Sequence, residues 1–319
     1  MRFAVIADIH GNYAALQAVL DDACAVGVEG YLFVGDYITD MPYAKEIVHT
    51  LQGLKNAVFV SGNREWYMDS LNPSRRHWEQ FAGLFLTRDM LEEEGLSWVR
   101  SLPKSVLLNT PDGQKRILME HVCEELYGAE EHGKKKLASG ALDESFRYRD
   151  ATRQEVCAFA KEGFEANTRL PELARRAAVD VVIHGHSHLQ YALTIGDVLY
   201  LNPGSCGLPL DHQLGAPYTL LCYENGRFST EERRVVYNLE ETLRYCESTP
   251  FYQEAKGWCQ LNFWQLRTAR DHSRVFFQFL QEQQEIDRPQ IDQEHNLALH
   301  RALARTKEYY KELDSSQTK

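Results

Sequence analysis

The sequence predicts an α/β fold with parallel strands and a helical C-terminal extension, on three observations. Short apolar runs alternate with stretches whose apolar residues recur at helical spacing. Each of the early runs closes on a glycine and a polar side chain. From about residue 239 onward the composition turns helical, aromatic and Gln/Glu-rich. Strand, helix, strand, helix, strand is the order that builds a parallel sheet.

The opening run, Phe3 to Ala7, stops at Asp8, skips one residue to His10 and breaks at Gly11. Residues two apart in an extended chain point the same way, so Asp8 and His10 are expected to face one point. That point lies at the C-terminal end of a strand, where open α/β sheets place ligands. A helix is predicted over Tyr13 to Ala25, with Leu16, Val19 and Leu20 on one face and Gly27 as its stop. Asn12 suits the cap of that helix and is also placed to touch a phosphate. A strand over Tyr31 to Val34 ends at Gly35-Asp36, and a helix follows over Pro42 to Leu54. A third strand, Ala57 to Val60, ends at Ser61-Gly62-Asn63-Arg64-Glu65.

Beyond a mostly helical interval from Trp66 to Leu102, strands are expected at Ser105 to Asn109 and Arg116 to Glu120, turning through Asp112-Gly113 and ending at His121. The charged, glycine-dotted stretch from Cys123 to Asp150, with Lys134 to Lys136 inside it, reads as a loop or insertion, or as a plain solvated excursion. Helical pattern resumes from Thr152 to Ala178. Val179 to Ile183 then runs into His184-Gly185-His186-Ser187-His188. Antiparallel strands are expected at Tyr191 to Ile195, Val198 to Leu201, Tyr218 to Tyr223 and Arg227 to Val236, with Asn202-Pro203-Gly204-Ser205 as a tight loop. The organisation is therefore a main domain over 1–238 and a helical extension over 239–319.

The totals exclude several classes. A net charge of −11 argues against general binding to nucleic acid or an anionic membrane, which needs a basic face. No apolar run approaches the ~20 residues that span a bilayer. The 7 cysteines are scattered and form no C-x-x-C pair, which fits a reducing, cytoplasmic setting better than a disulfide framework.

Polar residues of one kind thus gather at predicted strand ends: Asp8 with His10, Asp36, Asn63, His121, and His186 with His188. Carboxylate, carboxamide oxygen and imidazole together suit Mn²⁺, Fe²⁺, Zn²⁺ or Ni²⁺. A lone His or Asp at a strand end is commonly only a hydrogen-bonding residue; it is the joint occurrence that points to metal. The motifs Asp8-x-His10, Gly35-Asp36, Gly62-Asn63, His121 and Gly185-His186-x-His188 resemble, in that order, those of the calcineurin-like metallophosphoesterases. Asp8-Ile9-His10-Gly11-Asn12, the Asn202 to Ser205 loop and Val236-Tyr237-Asn238-Leu239 are similar to its small bacterial phosphodiesterase-type branch.

The resemblance covers about residues 1 to 240 and implies a four-layer α-β-β-α sandwich of two mixed sheets flanked by helices. It further implies two divalent metal ions, one held by Asp8, His10 and His188, the other by Asn63, His121 and His186, with Asp36 bridging. The implied reaction is hydrolysis of a phosphate ester by a hydroxide shared between the ions. Where many relatives have Gly-Asn-His, this chain has Arg64, which cannot shuttle a proton but can grip phosphate oxygens. Arg64 is therefore expected to bind substrate, or else to pair with Glu65 or a surface carboxylate. A metal-bound water or a nearby histidine, His77 and His132 among them, would donate the proton. Phosphodiesters with good leaving groups are favoured.

The expected substrate is a small phosphorylated molecule or a phosphoprotein. Alternatives are a protein phosphatase, a dinucleoside-polyphosphate hydrolase, or a non-catalytic metal-binding scaffold. His184 is expected in the core or behind the ligands, and His212 at the surface. The aromatics of the extension (Trp258, Phe263, Trp264, Phe276 and Phe277 among them) are expected to pack on the main domain or a second copy, with capping of the substrate cleft as the other reading.

Overall fold

The computed structural model describes residues 1–126, 128, 151–287 and 292–316. Two five-stranded sheets carry it. The first runs β10-β9-β1-β2-β3, with β1 (Arg2–Ile6), β2 (Gly30–Val34) and β3 (Ala57–Val60) parallel and β9 (Ala216–Glu224) and β10 (Arg227–Val235) added antiparallel. The second runs β4-β5-β6-β8-β7, with β5 (Arg116–Glu120), β6 (Val181–Ile183) and β8 (Val198–Pro203) parallel between antiparallel edges β4 (Ser105–Asn109) and β7 (Gln190–Ile195).

The period-two alternation of the strands decides the layering. Val5, Ala7, Leu32 and Val34 of the first sheet meet Ile117, Met119, Val181 and Ile183 of the second in one buried cluster. Their neighbours point the other way. Ala4, Ile6 and Phe33 pack under α1 (Tyr13–Ala25), α2 (Ala44–Gly53) and α4 (Glu79–Ser101). Leu118, Val182 and Tyr200 pack under α5 (Arg153–Glu165) and α6 (Leu170–Ala177). The result is the expected four-layer α-β-β-α arrangement of two mixed sheets.

Several local expectations shift. The interval after β3 is two helices, because Pro73 separates α3 (Asn63–Ser70) from α4, and α4 itself breaks at Glu92 (φ 54°, ψ −174°). The helical pattern expected from 152 to 178 is present as two helices, α5 and α6. Asn202 and Pro203 belong to β8, paired with Tyr191 and Gln190, and the loop begins at Gly204 (φ +78°). Most of the Cys123 to Asp150 stretch, with Lys134 to Lys136 and His132, lies outside the described residues.

The C-terminal helices are α7 (Leu239–Glu247), α8 (Pro250–Glu254), α9 (Lys256–Thr268), α10 (Ser273–Asp287) and α11 (Asp292–Ser316). Leu243, Phe251, Cys259 and Phe263 share one buried cluster with Met41, Ala82, Leu208 and Leu210, which precede them in the chain. Polar ties reinforce that seam: Trp78 Nε1 donates to Asp292, and the Glu79 backbone N–H donates to Asn296.

His272 is buried among these helices, stacked on Trp264 with ring centroids 3.6 Å apart and edge-on to Tyr310 at 4.5 Å. Its Nε2 meets Thr268 Oγ1 at 2.9 Å, and its Nδ1 has no hydrogen-bond partner among the described residues. Burial pulls its pKa down from 6.5 to about 3. The unfolded chain therefore binds the extra proton first, and this contribution to stability is full above pH 6.5 and is lost as the pH falls. Between pH 7 and pH 5 the loss should be about 2 kcal/mol. Urea denaturation of the wild type and of His272→Phe, which keeps the stacking, should show the difference in stability between the two proteins changing by that amount between pH 7 and pH 5, because the other groups that titrate in this range act equally on both.

Candidate metal centre

The parallel strands β1, β2, β5 and β6 release their chains at one edge of the sandwich, and the loops there continue the ladder for a few residues. The Asp8 N–H donates to Gly35 O, His10 N–H to Asp36 O and Gly185 N–H to His121 O, at 3.0, 3.0 and 3.1 Å. These loops carry the expected polar residues to a common point, but not by the pleat of a strand. β1 ends at Ile6, and Asp8, His10, Asp36, His186 and His188 all adopt left-handed backbone, with φ of 53°, 50°, 55°, 68° and 61°. The expectation that alternation in an extended strand aims Asp8 and His10 is thus replaced by one of loop geometry. Such residues cost ~1 kcal/mol or more each, and their concentration at one place marks a site where geometry is held against local preference. Gly62 is required at this point for a steric reason: a Cβ there would fall 2.2 Å from Asp36 Oδ1.

Three imidazoles are oriented alike. His10 Nδ1–H donates to Asp40 Oδ2 at 2.8 Å, His121 Nδ1–H to Val34 O at 2.6 Å and His188 Nδ1–H to Leu208 O at 2.6 Å. Each ring thereby turns its Nε2 inward. His10 Nε2 and His188 Nε2 face each other at 3.1 Å. Asp8 Oδ1 lies 3.7, 3.3 and 3.9 Å from Nε2 of His10, His188 and His121, yet it is buried with no hydrogen-bond partner among the described residues. Asp36 Oδ2 lies 3.8 Å from His10 Nε2 and 3.4 Å from His121 Nε2, between the two ends of the cluster. Asn63 Oδ1 lies 3.2 Å from His121 Nε2 and 3.0 Å from His186 Nδ1.

Two groups of atoms close enough to share a cation result: Asp8, His10 and His188, and Asp8, Asp36 and His121. Asn63 and His186 lie beside the second. The orphaned Asp8 oxygen, the opposed imidazole nitrogens and the mix of donors all fit divalent transition-metal ions.

The electrostatics point the same way. Burial works to raise the Asp8 and Asp36 carboxyls, but the surrounding imidazoles outweigh it, holding Asp8 well below its ordinary value and Asp36 down to about 2. Burial works to lower His10 and His121, and the carboxylates overcome it, raising them to about 9 and about 10. Without a cation, protons take the place of positive charge between these groups, so metal uptake must displace them.

Two residues with structural parts in the site, Glu65 and Asp40, are not among the site residues expected from the sequence. Glu65 is buried and accepts from the backbone N–H groups of Asp36, Tyr37 and Gly62 at 2.9, 2.9 and 2.7 Å, tying two of the loops together and starting α3. Burial and the nearby Asp36 charge push its carboxyl up to about 7. Asp40 is the acceptor behind His10, and its other oxygen accepts from Trp258 Nε1 at 2.8 Å. A glutamate three residues after the helix-opening Gly62, placed to reach back to the Gly62 N–H, is a local signal for the first. Nothing local could have found the second.

Arg64 does not pair with Glu65. Its backbone N–H donates to Asp36 Oδ1 at 2.8 Å, its guanidinium lies 3.4 Å from Asp40 Oδ2, and its Nε has no hydrogen-bond partner among the described residues. Asn12 is fully buried: Oδ1 caps α1 by accepting from the Ala15 N–H, and Nδ2 donates to Gly207 O and to Tyr237 Oη. With those bonds made, Asn12 holds the loops in place, and the substrate contact expected of it has no supporting geometry. His184 is buried beside Phe164 and Tyr191, His77 is exposed, and His212 is half-buried with Nδ1 accepting from the Ala151 N–H.

Comparisons with known proteins bear on the family and the fold. Residues 1–226 match the calcineurin-like phosphoesterase superfamily domain. The uncharacterized protein MJ0912 of Methanocaldococcus jannaschii is 25% identical over 241 residues, 75% of this chain and 88% of that protein. The crystal structure of a metallophosphoesterase from Sphaerobacter thermophilus superposes with a TM-score of 0.53 at 19% identity, covering 84% of this chain and 100% of that one. A hypothetical protein, PH1004, from Pyrococcus horikoshii OT3 gives 0.52 at 17% identity, over 80% and 96% of the two chains. No described helix is long and apolar enough to cross a membrane. On the extent of the family match, the chain belongs to the calcineurin-like phosphoesterase superfamily.

Proposed function

We propose that the protein hydrolyses phosphate esters, diesters in preference to monoesters, at a pair of divalent cations held by Asp8, His10, Asp36, Asn63, His121, His186 and His188. One observation carries this reading: three imidazoles present Nε2 to a buried Asp8 oxygen that has no hydrogen-bond partner among the described residues. Divalent cations bound there would supply a hydroxide nucleophile at neutral pH and positive charge against the phosphoryl oxygens.

The chain's own residues supply the rest. Asp40, Val34 O and Leu208 O fix the tautomers of His10, His121 and His188, so that neutral nitrogen lone pairs meet the ions once the protons are displaced. Asp36 contributes charge between the two groups of ligands. Arg64 sits beside it, its Nε 3.9 Å from Asp36 Oδ2 and without a hydrogen bond among the described residues, and keeps its proton, since Asp40 and Asp36 outweigh burial and raise its pKa further. It is suited to grip a phosphoryl oxygen through parallel N–H donors and to offset the charge of the transition state. It is unsuited to protonate a leaving alcohol. Substrates whose leaving oxygen departs as a stable anion are therefore favoured, which supports diesters of acidic alcohols.

Protein stripped by chelation should lose turnover of bis-p-nitrophenyl phosphate and regain it with Mn²⁺. His121→Ala and His188→Ala should each weaken Mn²⁺ binding by calorimetry by more than the roughly 10–100-fold typical of supporting residues behind a ligand, with activity falling in step. Retention of full Mn²⁺ affinity by both variants would remove the site from consideration. Arg64→Ala should lower kcat/KM on the same diester by about 10–100-fold, the worth of a charge-assisted hydrogen bond, and Arg64→Lys should recover part of it. An unchanged kcat/KM would mean that Arg64 serves only Asp40.

A further inference from the structure

Beside the metal centre lies a half-open cleft of about 360 Å³, within the size range of small-ligand sites. Its lining includes Arg64, Tyr67, Phe81, Phe85, Trp258 and Phe277. Arg64 is shared with the centre, so the cleft starts where the phosphoryl group of a bound ester would end. Trp258 is shared as well, because its indole N–H is committed to Asp40 Oδ1 at 2.8 Å. That bond sets the ring in the wall before any ligand arrives.

The most exposed apolar side chains of the lining are aromatic, with half-buried Leu71 and buried Leu84 beside them. Tyr67 and Phe277 are each 40% exposed, among the few large apolar side chains of the described residues left so open. Phe277 comes from α10 and Trp258 from α9, with ring centroids 6.0 Å apart, while Tyr67 and Phe81 come from α3 and α4 of the main domain. Two walls of rings therefore face the same space from opposite parts of the chain. Arg75 lies at the cleft as well, its guanidinium 5.3 Å from the Trp78 ring and 5.5 Å from the Phe81 ring. A planar cation held against aromatic faces offers one more stacking surface and a second positive charge. Asn72 and Gln80 add amide donors and acceptors to the wall.

From these observations we infer that the cleft receives the organic part of the phosphate ester, and that this part is a planar heteroaromatic ring such as a nucleobase. The inference rests on the phosphoesterase reading for the position of the phosphate. An alkyl or acyl chain would bury apolar surface on the rings and on Leu71 and Leu84, but it would lay hydrocarbon over Arg75, Asn72 and Gln80 and leave their polar groups without partners. A flat ring with polar edges stacks on the rings and meets the guanidinium and amides at its rim. The C-terminal helices thus build half of the specificity pocket of the main domain.

The test compares AMP with ribose 5-phosphate, which carries the same phosphate and sugar without the base, by calorimetry on the full chain, Mn²⁺-loaded and chelated. AMP should bind at least about tenfold more tightly than ribose 5-phosphate, as expected for stacking on aromatic side chains. Phe277→Ala, and independently Phe81→Leu, should lower that ratio to about threefold or less. Equal affinities for the two ligands, no binding of AMP, or a ratio untouched by both variants would overturn the inference. Failure of the phosphoesterase reading shows separately: p-nitrophenyl esters would give no metal-stimulated turnover, while any AMP preference would persist in the chelated protein.

Discussion

The arrangement of this protein depends on which way its histidines turn. His10, His121 and His188 each spend their Nδ1 proton on an oxygen behind them, leaving their Nε2 atoms gathered around buried Asp8 and Asp36. An imidazole without such an acceptor would be free to flip or to change tautomer, and the inward nitrogen would no longer be reliably a lone pair. Two of the acceptors, Val34 O and Leu208 O, are backbone atoms of the fold itself. The site is therefore only as accurate as the end of β2, where Val34 lies, and the loop between β8 and β9, where Leu208 lies.

That accuracy is maintained against local cost. Left-handed backbone at Asp8, His10, Asp36, His186 and His188 persists because surrounding bonds over-determine it. Glu65 draws three backbone N–H groups from two loops onto one carboxylate, Ser205 Oγ–H donates to Asp8 O, and Asn202 donates to Gly185 O and Ser187 Oγ. None of these side chains is among the inward-facing donors. Each removes a way for the loops to relax.

The C-terminal helices enter the same network through one hydrogen bond. Trp258 Nε1 donates to the oxygen of Asp40 opposite the one that accepts from His10, so α9 bears on the orientation of a histidine near the start of the chain. The apolar seam of Leu243, Phe251, Cys259 and Phe263 against Met41, Ala82 and Leu208 holds that contact in place. Packing, ligand orientation and the wall of the cleft are joined here in one residue.

Much of the fold was legible in the sequence because period-two alternation and glycine-terminated apolar runs are local signals, and β1 to β6 lie within a few residues of where those signals put them. The motif order placed Asp8, His10, Asp36, Asn63, His121, His186 and His188 at loops that do meet. What local pattern does not carry shares one cause. The inward aim of Asp8 and His10 follows left-handed loops and not a pleat, Asn12 adds bonds to Gly207 and Tyr237 to the cap expected of it, and Asp40 gives no motif of its own. By itself the chain determined which donors exist and in what order the strands present them, since those are properties of neighbours in sequence. Only the tertiary structure decided the direction of each imidazole, the partner of Arg64 and the reach of Trp258 to Asp40. The bonds that set them join residues far apart along the chain, 218 positions in the last case, where no local pattern can record them.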